Sequence, residues 1–260
     1  VIVINKDVNA SPAAYRQYAS AGQLLVTSIF RTIQGEGPYA GRACVFLRLA
    51  GCNIGEKVDC PWCDTQFSFA KGSILTVEAV AERIRGLAGG ADLVVVTGGE
   101  PLLQWQMLLR LGEMASEFTW QFETNGMLLK PDVVSQAVDA AMTVHFVVSP
   151  KVPANLRRYP QLREEWSRLG RALSLKYVVD SDLNSAYHAP GPTGDFRTYI
   201  SGMAVYHRAT LPGEVASVWD QSLIDRAATA RNYRHAANVV LASPGVYRLS
   251  LQTHLFAGVE

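Results

Sequence analysis

Cysteine is scarce in this chain, four in 260 residues, and three of the four fall between positions 52 and 63. That distribution argues against a secreted disulfide framework and favours metal binding in a reducing compartment. Charge of one sign is equally scarce: 24 Lys and Arg against 23 Asp and Glu leave a formal net charge of +1, with no long basic run. No broad electrostatic attraction to nucleic acid or to anionic membrane is therefore expected, and the ligand should be small. Apolar runs of membrane-spanning length are missing, and the opening Val1-Ile-Val-Ile-Asn-Lys-Asp7 lacks a basic segment followed by an apolar one. A soluble cytoplasmic protein is the expectation. What is plentiful is apolar content, 48% of residues, enough for a full core in one domain.

Residues 1–22 are polar and alanine-rich without a clear period, and read as an extension dispensable to the chemistry. Residues 23–260 read as one domain. Apolar runs rich in β-branched residues, Ala43–Leu49, Asp92–Thr97, Thr119–Glu123, Thr143–Ser149 and Leu173–Val179, predict strands after a first one near Leu24–Ser28. Amphipathic stretches separate them. Thr76–Ala88 gathers Val77, Val80, Ala81, Ile84 and Leu87 on one face, and Pro101 and Pro131 suit the first turns of helices reaching about Phe118 and Ala141. Strand and helix alternating at this spacing imply parallel strands with right-handed crossovers, in a closed or partly closed α/β barrel or an open doubly wound sheet. The rhythm breaks around 181–241, where Pro190-Gly191-Pro192 and Pro212-Gly213 mark an irregular insertion, before a late helix at about Asp220–Ala237. The final run Tyr247–His254 alternates, placing Arg248, Ser250, Gln252 and His254 on one face; that face lines a barrel interior or meets water.

The cysteines follow C-x7-C-x2-C, with Cys52 between Gly51 and Asn53, then Cys60-Pro-Trp-Cys63. A lone C-x-x-C fits a redox dithiol, half a zinc site or two ordinary thiols. Adding Cys52 gives three soft ligands in one loop, suited to iron–sulfur or zinc. Cys44, the only other cysteine, lies in an apolar run where such a residue packs as a small hydrophobe. Three ligands leave one metal position open, as a catalytic centre needs. Elsewhere Thr97-Gly-Gly-Glu-Pro101 is either a tight βα turn or a place where backbone approaches a ligand closely. Arg48, polar in an apolar strand, suits a carboxylate or a structural ion pair. Asp64-Thr65 could equally cap a helix.

These motifs in this order, namely Ile33-Gln-Gly-Glu-Gly37, Gly41-Arg42, Phe46-Leu-Arg-Leu-Ala-Gly-Cys52-Asn53, Trp62-Cys63-Asp64-Thr65, Thr97-Gly-Gly-Glu-Pro101, Glu123-Thr-Asn-Gly126, Ser149-Pro-Lys151, Lys176 and Gln252-Thr-His254, resemble the 7-carboxy-7-deazaguanine synthase family of radical S-adenosylmethionine (SAM) enzymes. The resemblance covers most of residues 28–179 and the last dozen, and nothing of 181–241. It implies a partial, incomplete parallel β/α barrel of radical SAM type. It implies that Cys52, Cys60 and Cys63 hold a [4Fe-4S] cluster, the usual C-x3-C-x2-C loop being lengthened here. Gly98, Gly99 and Glu100 would hold the amino group of SAM, Ser149 and Lys151 its carboxylate and ribose, and the Trp62 backbone its adenine. Ile33, Gln34, Gly35, Glu36, Arg48, Thr97, Gly99, Glu123, His254 and the terminal Glu260 would surround 6-carboxy-5,6,7,8-tetrahydropterin, and Thr65 would help hold Mg2+.

The implied reaction abstracts hydrogen from C6 of that pterin through a 5′-deoxyadenosyl radical, contracts the ring and releases ammonia to give 7-carboxy-7-deazaguanine, a queuosine precursor. No side chain is assigned the catalytic step, which belongs to the cofactor. The implied partners are a flavodoxin-type reductant and a second copy of the chain, with no nucleic acid and no membrane. Two other readings stay open: a radical SAM enzyme of different substrate, such as an activase, and a zinc-binding interaction module using Cys44, Cys52, Cys60 and Cys63.

Overall fold

The computed structural model describes residues 2–3, 15–54, 71–151, 172–181, 197–205 and 224–254. Its frame is one ten-stranded sheet built from β1 (Ile2–Val3), β2 (Gln23–Ile33), β3 (Ala43–Leu49), β4 (Lys71–Thr76), β5 (Leu93–Gly98), β6 (Thr119–Thr124), β7 (Thr143–Val148), β8 (Leu173–Val179), β9 (Arg197–Gly202) and β10 (Tyr247–Ser250). The strand order is β1-β4-β2-β3-β5-β6-β7-β8-β9-β10. From β3 onward all neighbours are parallel. The end strands are not neighbours, so the sheet is an arc that does not close, as the expected partial barrel requires.

One expectation about strands is corrected. The strand expected at Leu24–Ser28 runs from Gln23 to Ile33 and is antiparallel to both β3 and β4. The βα rhythm therefore starts only at β3, because residues 34–42 join β2 to β3 without a helix long enough for a crossover. This connection is closed by Gln34 N donating to Arg42 O at 2.8 Å and Gly41 N donating to Gln34 O at 2.8 Å.

Helices cover the outer face. The apolar sides of α2 (Val77–Ala88), α3 (Trp105–Met114), α4 (Pro131–Asp139) and α5 (Arg226–Ala242) pack on the strands, while the short α1 (Arg16–Ser20) contributes Tyr18 to a separate cluster with Tyr15, Leu25 and Leu103. Thr76 caps α2 by accepting from Ala79 N, and Gly89, left-handed at φ +51°, ends it. The segment after Pro101 begins as a 3-10 turn, Pro101–Gln104, and its α-helix stops at Met114, short of Phe118. The last helix starts at Arg226 rather than near Asp220, because Asp225 is the N-cap and accepts from Ala228 N at 2.9 Å.

The inner face changes character along the barrel. At its floor Cys44, Leu93 and Val95 pack with Tyr39 and Phe46, beside the buried pair His145 and Ser174, whose Nε2 and Oγ lie 2.9 Å apart. Burial and the charge of Arg197 push the His145 imidazole down to about 4, so it is neutral. Towards the strand C-termini the inner face becomes polar. The two options for the terminal run separate here. Arg248 and Ser250 pair with Tyr199 and Ser201, and Tyr199 with Lys176, so they share the inner face, while Tyr247 packs against the outer core. Period two ends at Ser250, and Thr253 and His254 enter a helical turn.

Candidate active site

At the C-terminal end of β3 the chain is fastened carbonyl by carbonyl. Leu49 O accepts from Gly99 N at 3.3 Å and Gly51 O from Glu100 N at 2.8 Å. Ala50 O accepts from Gln104 Nε2 at 3.2 Å and from Tyr15 Oη at 3.2 Å. The next residue is the half-buried Cys52. No Cβ fits on the facing glycines: one on Gly98 (φ +131°) would lie 2.1 Å from Leu49 O, and one on Gly99 would lie 1.9 Å from Gly51 O and 2.9 Å from the Cβ of Cys52. Bare backbone thus reaches the cysteine corner, the arrangement a ligand held by main-chain groups requires. Of the other expected groups here, Cys60, Trp62, Cys63 and Thr65 lie outside the described residues.

Glu100 joins this corner to the end of β6. Its carboxylate is 0% exposed and accepts from Leu102 N at 3.1 Å, Thr124 Oγ1 at 2.7 Å and Asn125 N at 2.8 Å. Burial pushes its carboxyl up to about 7, against the pull of these bonds and of Lys151. Asn125 then reaches back, its Nδ2 donating to Asn53 Oδ1 at 2.7 Å, beside Cys52. Ser149 and Lys151 stand next along the rim, with Lys151 Nζ donating to Ser149 Oγ at 3.0 Å and Ser149 N to Thr124 O at 2.8 Å.

Opposite lies a set of buried and half-buried polar side chains. Gln34 Nε2 and Gln121 Nε2 both donate to Glu123 Oε1, at 3.0 and 3.1 Å. Gln34 Oε1 accepts from Glu36 N at 3.2 Å, and the Glu36 carboxylate is ion-paired with Lys176, both residues being buried. Arg48, 3% exposed, is the register partner of Thr97. The C-terminal segment clamps this loop. Gly37 N donates to Ser250 Oγ at 3.2 Å, Thr253 N donates to Gly35 O at 3.1 Å, and a Cβ on Gly35 would stand 2.0 Å from His254 Nδ1. Gly35 is therefore the residue that admits the His254 ring. Ile33 ends β2 at 36% exposure, and Glu260 lies outside the described residues.

The structure thus brings Gln34, Gly35, Glu36, Glu123 and His254 together, and Gly98, Gly99 and Glu100 with Cys52. Sequence reasoning gave no role to Lys176, Gln121, Asn125 or Tyr15, and offered Ser250 only as one residue of a face that lines the barrel interior or meets water. Lys176 carried a usable signal, a charge inside the apolar strand Leu173–Val179, since a buried charge demands a partner. Gln121 carried a weaker one, an amide at an alternating position beside Glu123.

Cys44 is not a ligand of the same centre as Cys52. Fully buried at the floor, it donates Sγ–H to Thr32 O at 3.7 Å, and burial pushes its thiol up to about 12. It lies near the start of β3 and Cys52 beyond its end, so at ~3.3 Å per residue the two are separated by roughly 17 Å or more. This overturns the four-cysteine zinc module.

The model of the radical SAM superfamily matches residues 48–219 of the chain. Among curated proteins, a 7-carboxy-7-deazaguanine synthase from Rickettsia prowazekii is 31% identical over 244 residues, covering 92% of this chain and 89% of the relative. A 7-carboxy-7-deazaguanine synthase from Hyperthermus butylicus is 40% identical over 183 residues, covering 66% and 72%. Among solved structures, the crystal structure of QueE from Escherichia coli superposes with a TM-score of 0.53 at 20% identity, over 91% of this chain and 97% of that one, and so shares the fold.

Proposed function

Because the chain belongs to the radical SAM superfamily and, within it, to the 7-carboxy-7-deazaguanine synthase family, an enzyme family of 7-deazaguanine biosynthesis, we propose that its substrate is 6-carboxy-5,6,7,8-tetrahydropterin and its products are 7-carboxy-7-deazaguanine and ammonia. The observation that carries this reading is the polar inner face, where the buried Gln34 and Glu36 stand with the half-buried Glu123, and the buried Arg48 lies beside Thr97 next to the Gly98-Gly99 turn. Amide and carboxylate groups side by side match the alternating donors and acceptors of a pterin edge, and a guanidinium fork matches a carboxylate.

Family membership implies a [4Fe-4S] cluster and SAM, and when bound they supply one-electron reduction and hydrogen-atom abstraction. Cys52, Cys60 and Cys63 hold the cluster in this reading. Gly98, Gly99 and Glu100 orient the SAM amino group, Ser149 and Lys151 bind its carboxylate and ribose, and Trp62 flanks the adenine. On the other side Arg48 pairs with the substrate carboxylate, Gln34, Glu36 and Glu123 fix the ring edge, and Thr97 and Gly99 form the wall. His254, with Ile33, Gly35 and the terminal Glu260, closes the pocket and excludes water, which protects reactive species. Thr65 contributes a hard oxygen to Mg2+, in company with water and substrate. A flavodoxin-type reductant, a homodimer and a cytoplasmic setting belong to the same proposal. Among the described residues no helix is long and apolar enough to cross a membrane.

The test is anaerobic reconstitution with iron and sulfide, then incubation with dithionite, SAM, Mg2+ and the tetrahydropterin, followed by mass analysis. Both 5′-deoxyadenosine and 7-carboxy-7-deazaguanine are expected, and both should vanish in Cys52→Ala. Release of 5′-deoxyadenosine without the deazaguanine would leave the radical SAM centre standing and the substrate assignment wrong.

A further inference from the structure

Residues 1–22 were expected to stand apart from the chemistry, yet Tyr15 sits 5% exposed at the root of the cysteine loop. It packs with Leu25, Ala50 and Leu103, and its hydroxyl donates to Ala50 O, two residues before Cys52. Its ring also occupies the space a side chain at position 51 would need. A Cβ on Gly51 would lie 1.6 Å from the Tyr15 hydroxyl oxygen and 2.8 Å from Cζ, and Gly51 itself is held at φ +94°. The corner from which Cys52 departs is thus a left-handed glycine pressed against a phenol.

The other fastenings of that corner come from the Gly-Gly-Glu turn and the helix after it. Gly99 N, Glu100 N and Gln104 Nε2 supply three of the donors to the Leu49, Gly51 and Ala50 carbonyls, and Gln104 is tied to β2 through Leu25 N and Leu25 O at 2.8 and 3.1 Å. The hydroxyl of Tyr15 is the fourth donor, and it arrives from the segment before β2, packed on Leu25 and apart from the outer core that holds Leu24 and Val26. A buried carbonyl with two donors is fixed in direction, and rotating the Ala50–Gly51 peptide would break both bonds and re-aim Cys52.

We propose that Tyr15 is a positioning residue for Cys52, its hydroxyl on the Ala50 carbonyl and its ring against Gly51 together fixing how the first cluster cysteine faces the SAM turn. The inference rests on the radical SAM reading. Tyr15 touches neither cluster nor SAM and acts through residues 50 and 51.

The experiment uses the full chain, reconstituted anaerobically, as wild type, Tyr15→Phe, Tyr15→Ala and Tyr18→Phe. Tyr18→Phe removes a hydroxyl from the same helical turn and serves as the control. The readouts are iron and sulfide per chain, the electron paramagnetic resonance spectrum of the reduced cluster with and without SAM, the SAM dissociation constant, and the melting midpoint. Loss of one buried hydrogen bond in Tyr15→Phe should weaken SAM binding about 2- to 10-fold and alter the SAM-dependent spectral shift, with iron content unchanged. Tyr15→Ala, which also empties the space facing Gly51, should lower iron content as well. Tyr18→Phe should match wild type in iron, spectrum and SAM affinity. Wild-type spectra and SAM affinity in both Tyr15 variants would overturn the proposal, whatever their melting midpoints. A wild-type chain that forms no [4Fe-4S] signal would sink the radical SAM reading itself, a result separate from any difference among the variants.

Discussion

At the ends of β3 and β5, Gly99 and Glu100 donate main-chain hydrogen bonds to Leu49 and Gly51, whereas Gln34 and Glu36 just beyond β2, Glu123 on β6 and Lys176 on β8 meet mainly through their side chains. The first region tolerates no added atom, since even a methyl on Gly99 collides with the opposite carbonyl. The second is made of groups that another sequence could replace while the backbone stayed put. With the roles proposed above, the difference teaches a division of labour: backbone geometry would hold what every reaction of this chemistry needs, and exchangeable side chains what selects one substrate.

The comparison is strained hardest at Lys176. Lys176→Met leaves the Glu36 carboxylate buried without its cation, and breaking such a pair typically costs about 3–5 kcal/mol. Urea unfolding should show a loss of that order, partly recovered when Glu36→Gln is added. A loss close to zero would mean the substrate side is solvated and loosely held.

Next comes a pH effect on the backbone side. The Glu100 carboxyl, raised to about 7 in the fold from an ordinary 4.5, keeps its proton longer than in the unfolded chain. Its contribution to stability is therefore full below pH 4.5, falls as pH rises from 4.5 to 7, and is flat above, a change of at most about 3 kcal/mol. His145 acts with the opposite sign, since its imidazole is lowered to about 4: it stabilises above pH 6.5 and loses that contribution as pH falls towards 4. The difference between wild type and Glu100→Gln isolates the first effect, and the wild type should lose stability relative to the variant as pH rises from 4.5 to 7 in denaturation midpoints.

Gly99→Ala should cost about 100-fold in product formation, the scale of an ångström-sized misplacement at a reacting centre, together with weakened SAM binding. Should activity survive, the Gly51 carbonyl has somewhere to move and the backbone side is less fixed than its contacts indicate. The smallest effect is expected at Asn125→Ala, which frees Asn53 and removes the Asn125 side-chain bond to Met127 N. SAM affinity should drop about 5- to 10-fold with a near-normal melting midpoint.

Much of the frame was legible in the sequence. The bounds of β3 and β8 follow from their apolar runs, and α2 is found to within a residue because Thr76 caps it and its buried residues repeat at helical spacing. Pairing was not legible: nothing in Gln23–Ile33 marks it as antiparallel, because direction is decided by the partner strand and by the absence of a crossover helix. β9 was missed inside the irregular stretch, where Arg197–Gly202 is short and half polar, its burial coming from β8 and α5 rather than from its own pattern. At the site, glycines and motif residues could be read, while the contacts of Tyr15, Asn125 and Lys176 could not. Each joins residues distant along the chain, Tyr15 to Ala50, Asn125 to Asn53 and Lys176 to Glu36, separations of 35, 72 and 140.

The division between the two sides is tested most directly by measuring SAM affinity and 7-carboxy-7-deazaguanine formation together in anaerobically reconstituted Glu123→Gln. The account predicts SAM binding within about twofold of wild type and product formation lowered about 100-fold or more, because only the substrate side is disturbed. A parallel loss of SAM affinity and product, or full product formation at normal affinity, would contradict it.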